Sequence, residues 1–347
     1  MNRGVAFGLA SAVLFGMSTP LAKLLVGSVS PLLLAGLLYL GAGVGLLIVL
    51  VGRCWRSSQP FSLPTQQDWP WLVGAIAAGG VVGPVALMYG LTSTQASTAS
   101  LLLNLEAVLT ALIAWFLFRE NFDRRIAMGM LAIVFGGVVL AWSPLRSGNT
   151  LMGPVYIAVA CLCWALDNNL TRKVSASDAV LIAGLKGLVA GTVNTGLALL
   201  LGDSLPSLAI GTAAAVVGFL GYGVSLVLFV LALRHLGTAR AGAYFSVAPF
   251  FGAALALLLQ REPLTWQLVT AGALMALGIW LHLTERHAHV HTHGPLEHMH
   301  AHSHDEHHQH AHDFPWDGHE PHVHPHAHEP IAHAHSHYPD LHHRHSH

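Results

Sequence analysis

The sequence predicts an all-α integral membrane protein of ten transmembrane helices, arranged as two inverted five-helix repeats and followed by a disordered tail. Composition is the first reason. Hydrophobic residues make up 53% of the 347-residue chain and charged residues only 10%, against about 25% charged in soluble domains. The second is a series of long apolar runs, which hold few charges before residue 284. The third is an internal repeat: QASTASLLLNLEAVLTALIAWFLFRE, from Gln95 to Glu120, returns as GTARAGAYFSVAPFFGAALALLLQRE, from Gly237 to Glu262. Both copies end in Arg-Glu, at a constant offset of 142 (262 − 120).

About 20 residues of helix cross a hydrocarbon layer of about 30 Å. On that length, spans are expected at 4–26, 31–52, 70–92, 95–118, 124–142, 152–172, 178–201, 208–233, 239–259 and 264–283. Between the third and fourth, LTSTQAS must hold a tight turn. Pro20 and Pro84 fall inside spans, where neighbouring helices can re-satisfy the backbone groups they free. Closely spaced glycines, Gly41/Gly45, Gly79/Gly83 and Gly187/Gly191, suit close helix packing. The first run looks superficially like a signal peptide. Yet Gly4–Lys23 aligns with Gly153–Arg172 at an offset of 149 (153 − 4), pairing Phe15 with Trp164 and Lys23 with Arg172. A run with a partner in the second half is expected to be a retained helix.

The domains expected are therefore 1–143, the first repeat, 150–283, the second, and 284–347, the tail. Five helices per half is an odd number, so the second copy enters the membrane from the opposite side. Inverted repeats are a transporter architecture with sites near the bilayer midplane. Lys and Arg placement sets orientation. With the N-terminus inside, Arg3, Arg53, Arg56, Arg119, Arg124, Arg125, Arg172, Lys173, Arg234, Arg240 and Arg286 are cytoplasmic, while the other side holds little beyond Arg146 and Arg261, with Lys23 near a helix end. Both termini are expected in the cytoplasm, and the protein in the plasma (bacterial inner) membrane with the lipid bilayer as its partner.

The segments NLEAVLTALIAWFLFRE and YFSVAPFFGAALALLLQRE, closing the fourth and ninth helices, resemble the drug/metabolite transporter superfamily, and within it the EamA-type family. The resemblance covers about residues 4–283. It implies a secondary transporter of amino acids, metabolites or drugs, usually outward, and fixes no catalytic residues. Where many members have Pro, the first copy has Ala107, while Pro249 keeps it in the second.

Ionisable residues inside a span cost a few kcal/mol at its centre and mark function by default. Glu106, Asp167 and Lys186 qualify. At a rise of 1.5 Å per residue, Asp167 and Lys186 lie at similar depth on consecutive helices and can form an ion pair. That pair is either a structural neutralisation or a working site, in which Lys186 holds an anionic group while Asp167 or Glu106 takes a proton. Asn168, beside Asp167 and Asn169, and Asn194 are the further substrate or coupling-ion candidates. On a continuous helix Asn104 and Glu106 are about 200° apart and face different surroundings. Glu106 shares its face with Ala99 and Thr110, and Asn104 a stripe with Ser97 and Ser100. In the second copy Glu106 aligns with Ala248, so a site there is asymmetric. Trp115, Trp164 and Tyr244 are expected to be packing residues.

From Thr284 the composition changes. Of 26 histidines only His235 and His282 precede the tail. The segment is too polar to bury a core. Its histidines, among them His287, His289, His291, His293, His298, His300, His302, His304, His307 and His308, suit divalent transition metals. Without a fixed spacing, many weak, interchangeable sites are expected, serving as buffer, sensor, collector for export, or nothing physiological. Cys163 and Asp167 share a helix face, and with Glu106 opposite they would make a soft-plus-hard metal-ligand set, but a buried cysteine is ordinarily a small hydrophobe.

No cofactor is required, and the three cysteines imply no disulfide framework. No basic stripe exists to bind nucleic acid. The chain has neither a phosphate-cradling motif nor a nucleophile–base set, so an enzyme is not expected. The leading expectation is an exporter of a small metabolite or amino-acid-like solute, possible as a homodimer and possible with proton coupling. The rivals are a divalent-metal exporter fed by the tail (Ni, Co, Zn or Cu) and a non-transporting membrane metal sensor.

Overall fold

A computed structural model describes residues 3–56, 64–118, 124–142, 151–174, 178–236, 242, 244–283, 287–293, 296–302, 322–328 and 331–337. The chain divides into two compact units, Met1–Glu285 and Arg286–His347. The two expected repeats thus share one body.

In the first unit, α1 (Arg3–Leu25) and α2 (Pro31–Arg56) are continuous. The next rod is composite: α3 (Trp69–Ala75), a π-helical turn (Ile76–Val82) and α4 (Gly83–Ser93). After a break at Thr94 and Gln95 come α5 (Ala96–Leu102) and α6 (Leu105–Phe118), then α7 (Arg124–Ala141). The second half repeats this grammar with α8 (Met152–Lys173) and α9 (Ala179–Leu200). A second composite rod follows: α10 (Leu208–Gly218), a π-helical turn (Phe219–Val224) and α11 (Ser225–Leu236). Last come α12 (Ala248–Leu259) and α13 (Trp266–Leu283).

Seven of these stretches are long and apolar enough to cross a membrane: Arg3–Leu25, Pro31–Trp55, Trp69–Ser93, Ala96–Ile113, Arg124–Ala141, Ala179–Leu200 and Leu208–Ala232. Ala248–Leu259 and Trp266–Leu281 are apolar but shorter. α8 has the length, at 22 residues, but Asp167, Asn168 and Asn169 interrupt its apolar run.

Small residues bring the halves together, as expected where dispersion rather than hydrophobicity joins helices. A β-carbon on Gly43 would overlap the backbone at Leu188, and one on Gly191 would meet the backbone of Leu40, so α2 and α9 pack backbone to backbone. Gly129 and Gly278 do the same for α7 and α13. Large apolar side chains such as Ile48, Leu131, Phe135 and Leu258 face outward, as a bilayer solvent allows. Asp178 caps α9 by accepting from Val180 N (2.9 Å) and Leu181 N (3.2 Å).

Two expectations need correcting. Residues 95–118 are not one continuous helix, because the chain turns at Leu103 and Asn104. The tail, expected to be without structure, contains strands. Here β1 (His287–His293) pairs antiparallel with β4 (Ile331–His337), and β2 (Leu296–His302) with β3 (His322–His328). The His-x-His alternation has the period of a strand, and antiparallel pairing hydrogen-bonds the facing backbone groups of each pair. His287, His289, His291, His293, His298, His300 and His302 fall in β1 and β2, whereas His304, His307 and His308 lie outside the described residues.

Candidate functional site

The site is built where helices depart from the regular α-helical ladder. At the turn after α5, Asn104 N donates to Leu101 O (3.1 Å) and Glu106 N to Leu103 O (3.0 Å). The thiol of Cys161, on α8, reaches Leu102 O at 3.7 Å and Leu103 O at 4.0 Å. Glu106 therefore sits in the first turn of α6, where the positive end of the helix dipole favours a carboxylate. The second half turns at Ser246 and Val247, and α12 begins at Ala248. The backbone interruption is repeated; the carboxylate is not.

A π-helical turn leaves carbonyls outside the regular ladder, and such turns often lie at functional positions. Here side chains take them up. Gly79 O accepts from Tyr39 OH and from Trp164 Nε1, each at 3.0 Å. Asn194, fully buried, donates its amide to Val81 O at 3.2 Å and Gly80 O at 3.5 Å. Asn194 thus ties α9 to the composite rod.

Asp167 and Lys186 do form the ion pair that their matched depth allows. Lys186 Nζ lies 2.5 Å from Asp167 Oδ1 and 2.6 Å from Oδ2. Thr171, one turn along α8, donates to Asp167 Oδ1 at 2.8 Å. Both charged side chains are nearly enclosed, at 15% and 10% exposure, and Gly79 closes over the carboxylate. Beside them, Asn168 Nδ2 donates to Glu106 Oε1 at 2.8 Å and reaches Thr110 Oγ1 at 3.4 Å. Asn168 is exposed while Asp167 and Asn169 are buried. Glu106 is half-buried, and among the described residues no basic group lies within ion-pair distance of it. Tyr39 packs at a tilt against Tyr222 of the second π-helical turn (ring centroids 5.5 Å apart), and Phe15 meets Tyr222 edge-on at 6.0 Å.

The structure thus joins Asp167 to Lys186 and Glu106 to Asn168, on neighbouring turns of α8, with Asn194 fastening the adjoining backbone. Asn104 faces elsewhere, donating to Leu101 O (3.0 Å) and toward Met275 Sδ (3.6 Å). Trp164, expected only to pack, holds a backbone carbonyl. Sequence reasoning passed over Tyr39, Thr171 and Tyr222, and read Gly79 only as a helix-packing residue. The adjacent Gly79-Gly80 and the Gly221-x-Gly223 pattern were the available signal for two irregular turns. Among the described residues no group of three or more His, Cys, Asp and Glu comes together to hold a metal.

The model of the EamA-like transporter family matches residues 2–142 and again 151–284. An uncharacterized transporter of Methanothermobacter thermautotrophicus is 27% identical over 288 residues, which is 79% of this chain and 84% of that protein. The uncharacterized transporter YetK of Bacillus subtilis is 26% identical over 177 residues, about half of each chain. One solved crystal structure superposes with a TM-score of 0.61 at 19% identity, covering 81% of this chain and 96% of its own. At that identity the likeness concerns the fold.

Proposed function

Because the chain belongs to the EamA-like transporter family, we propose that this membrane transporter exports a small metabolite or amino-acid-like solute by alternating access, with a proton as the coupling ion. The observation that carries the reading is the placement of Glu106. It is a membrane-depth carboxylate at the start of an interrupted helix, held by the Asn168 amide at 2.8 Å and by no cation within ion-pair distance among the described residues. A charge so placed is costly unless it does work. Half-helix N-termini at the midplane are where transporters of repeated architecture place their sites.

The remaining groups divide the labour. The enclosed Asp167–Lys186 pair anchors α8, α9 and the first π-helical turn, while Glu106 exchanges a proton and the aromatic cluster of Phe15, Tyr39 and Tyr222 supplies apolar surface for the solute. Ten spans in two inverted halves, with both termini in the cytoplasm of a plasma membrane, are the architecture this reading assumes. In its support, the two π-helical turns and the two interrupted helices recur at matching repeat positions. The protein acts as a carrier rather than an enzyme, and needs no cofactor.

A second reading is favoured by the 24 histidines after residue 284. There the tail gathers a divalent transition metal, and the membrane unit exports it. Counterflow of a solute and metal panel in proteoliposomes, with the full chain and with residues 284–347 removed, decides among the readings. Exchange of an amino-acid-like solute supports the first, and exchange only of Ni, Co, Zn or Cu the second. No exchange of anything in the panel would count against both.

A further inference from the structure

We infer that Glu262 is a latch that closes one mouth of the transport path, so that its helix-capping contact must break for that mouth to open. This rests on the transporter reading and adds to it the residue that holds the structure in its present state. The Arg-Glu pair ending each repeat has no part in the site described above. Its second copy does something specific: both oxygens of the Glu262 carboxylate accept backbone N–H groups of the first repeat, Ala96 N at 2.7 Å and Ser97 N at 2.9 Å. These are free donors at the start of α5, and a carboxylate there makes charge-assisted hydrogen bonds. The preceding residue, Arg261, is the only non-glycine with positive φ among the described residues (51°). A left-handed side-chain residue is strained, and this one turns the chain so that Glu262 points back at α5.

Two more contacts close the same end. Gln260 Nε2 donates to Pro20 O at 3.0 Å, and Lys23 Nζ donates to Leu91 O. The ends of α1, α4 and α12 and the start of α5 are therefore tied together across the two halves. Just inside the latch, the helices meet closely at two glycines. Gly16 backs onto Ala248 O, and Gly252 onto Gly16 O and Ser100 Oγ, so that a β-carbon at either glycine would collide. Outside it, an open groove of about 500 Å³ is lined by Lys23, Val26, Ser30 and Thr92 among others.

An independent observation says that closure is one state of two. Thr94, Ser97 and Ser100, successive along this mouth, have buried hydroxyls without a hydrogen-bond partner. Buried polar groups are ordinarily satisfied. Opening the mouth lets water reach all three, which offsets the loss of the Glu262 cap. The latch and the orphaned hydroxyls then form a balanced pair.

The test uses the full chain in proteoliposomes carrying Ser100→Cys, labelled by a membrane-impermeant maleimide and read residue by residue by mass spectrometry. Native Cys161, fully buried and in contact with the far end of α5 at Leu102 O and Leu103 O, is the internal control. With Glu262 present, labelling at position 100 is slow. Glu262→Ala should speed it about tenfold, the population change expected on losing one good cap, and Glu262→Gln less, with Cys161 unchanged in both. An unchanged rate at position 100 overturns the latch. So does a parallel rise at Cys161, which marks general loosening; if Glu262→Ala does not fold, the milder Glu262→Gln is read by the same two criteria. Solute counterflow is a separate readout, so failure of the transporter reading would be seen independently.

Discussion

Gly79 backs so closely onto Asp167 that a β-carbon on the glycine would overlap the carboxylate oxygen Oδ2. The relationship recurs between Gly221 and Ser18, which stand 142 positions after Gly79 and 149 before Asp167, the offsets of the internal repeat. One side of the pseudo-symmetric pair carries a charge and the other a hydroxyl. Gly79→Ala must therefore move either a buried ion pair or the π-helical turn, whereas Gly221→Ala overlaps the uncharged side chain of Ser18. Overpacking of this kind costs about 1–3 kcal/mol. Both variants should lower the thermal midpoint in detergent, and Gly79→Ala should also remove counterflow. Retained counterflow in Gly79→Ala would show that the carboxylate's position does not matter to transport.

The Asp167–Lys186 pair yields a sharper test. Removing one partner of a buried pair leaves an uncompensated charge, at a cost of about 3–5 kcal/mol, while removing both is often nearly neutral. Lys186→Ala is therefore expected to lose both stability and counterflow. Asp167→Asn combined with Lys186→Met should regain most of each, if the pair is an anchor. A double variant that regains its thermal midpoint but transports nothing would instead place Lys186 in direct contact with the solute.

The distribution of charge made much of this legible beforehand. Matched depth on consecutive helices brought Asp167 and Lys186 together on paper, and the recurring Arg-Glu ending pointed to two related halves, matched by the doubled family profile. Hydrophobic periodicity could not show where a helix stops being regular. The turn at Leu103 and Asn104 lies inside an unbroken apolar run, and its carbonyls meet a donor supplied from α8, the Cys161 thiol, which reaches Leu102 O and Leu103 O. For the same reason Tyr39 and Trp164 gave no warning, since an aromatic that donates to a freed carbonyl looks in sequence like one that packs. The tail differed in another way: its composition argued against a core, but its His-x-His alternation also has the period of a strand.

Glu106 separates coupling from binding. Glu106→Gln keeps an acceptor for the Asn168 amide and adds no bulk, so the fold should be unaffected, within about 0.5 kcal/mol as for substitutions that break no buried network. Under the proton-coupled reading, solute counterflow at equal pH on both sides persists, because exchange needs no net proton movement. Accumulation driven by an imposed pH gradient is lost. Gradient-driven accumulation that survives in Glu106→Gln would move the coupling group elsewhere.

Removing residues 284–347 tests how the two units depend on each other. The membrane unit is compact through Glu285, and the apolar packing described above lies wholly within it. Truncation is therefore expected to leave the thermal midpoint unchanged. Binding of Ni(II) or Zn(II), measured by calorimetry on the full chain in detergent, should disappear with the tail, because imidazole is the suitable ligand there and no cluster of three metal-binding side chains occurs among the described residues of the membrane unit. Metal binding should also weaken between pH 7 and pH 5, since a histidine must be neutral to ligate and protonates near pH 6.5. Metal binding that persists after truncation would relocate the site to the membrane unit and strengthen the reading of a metal exporter. Metal binding that vanishes while solute counterflow continues would leave the tail a separate function, attached to a transporter that does not need it.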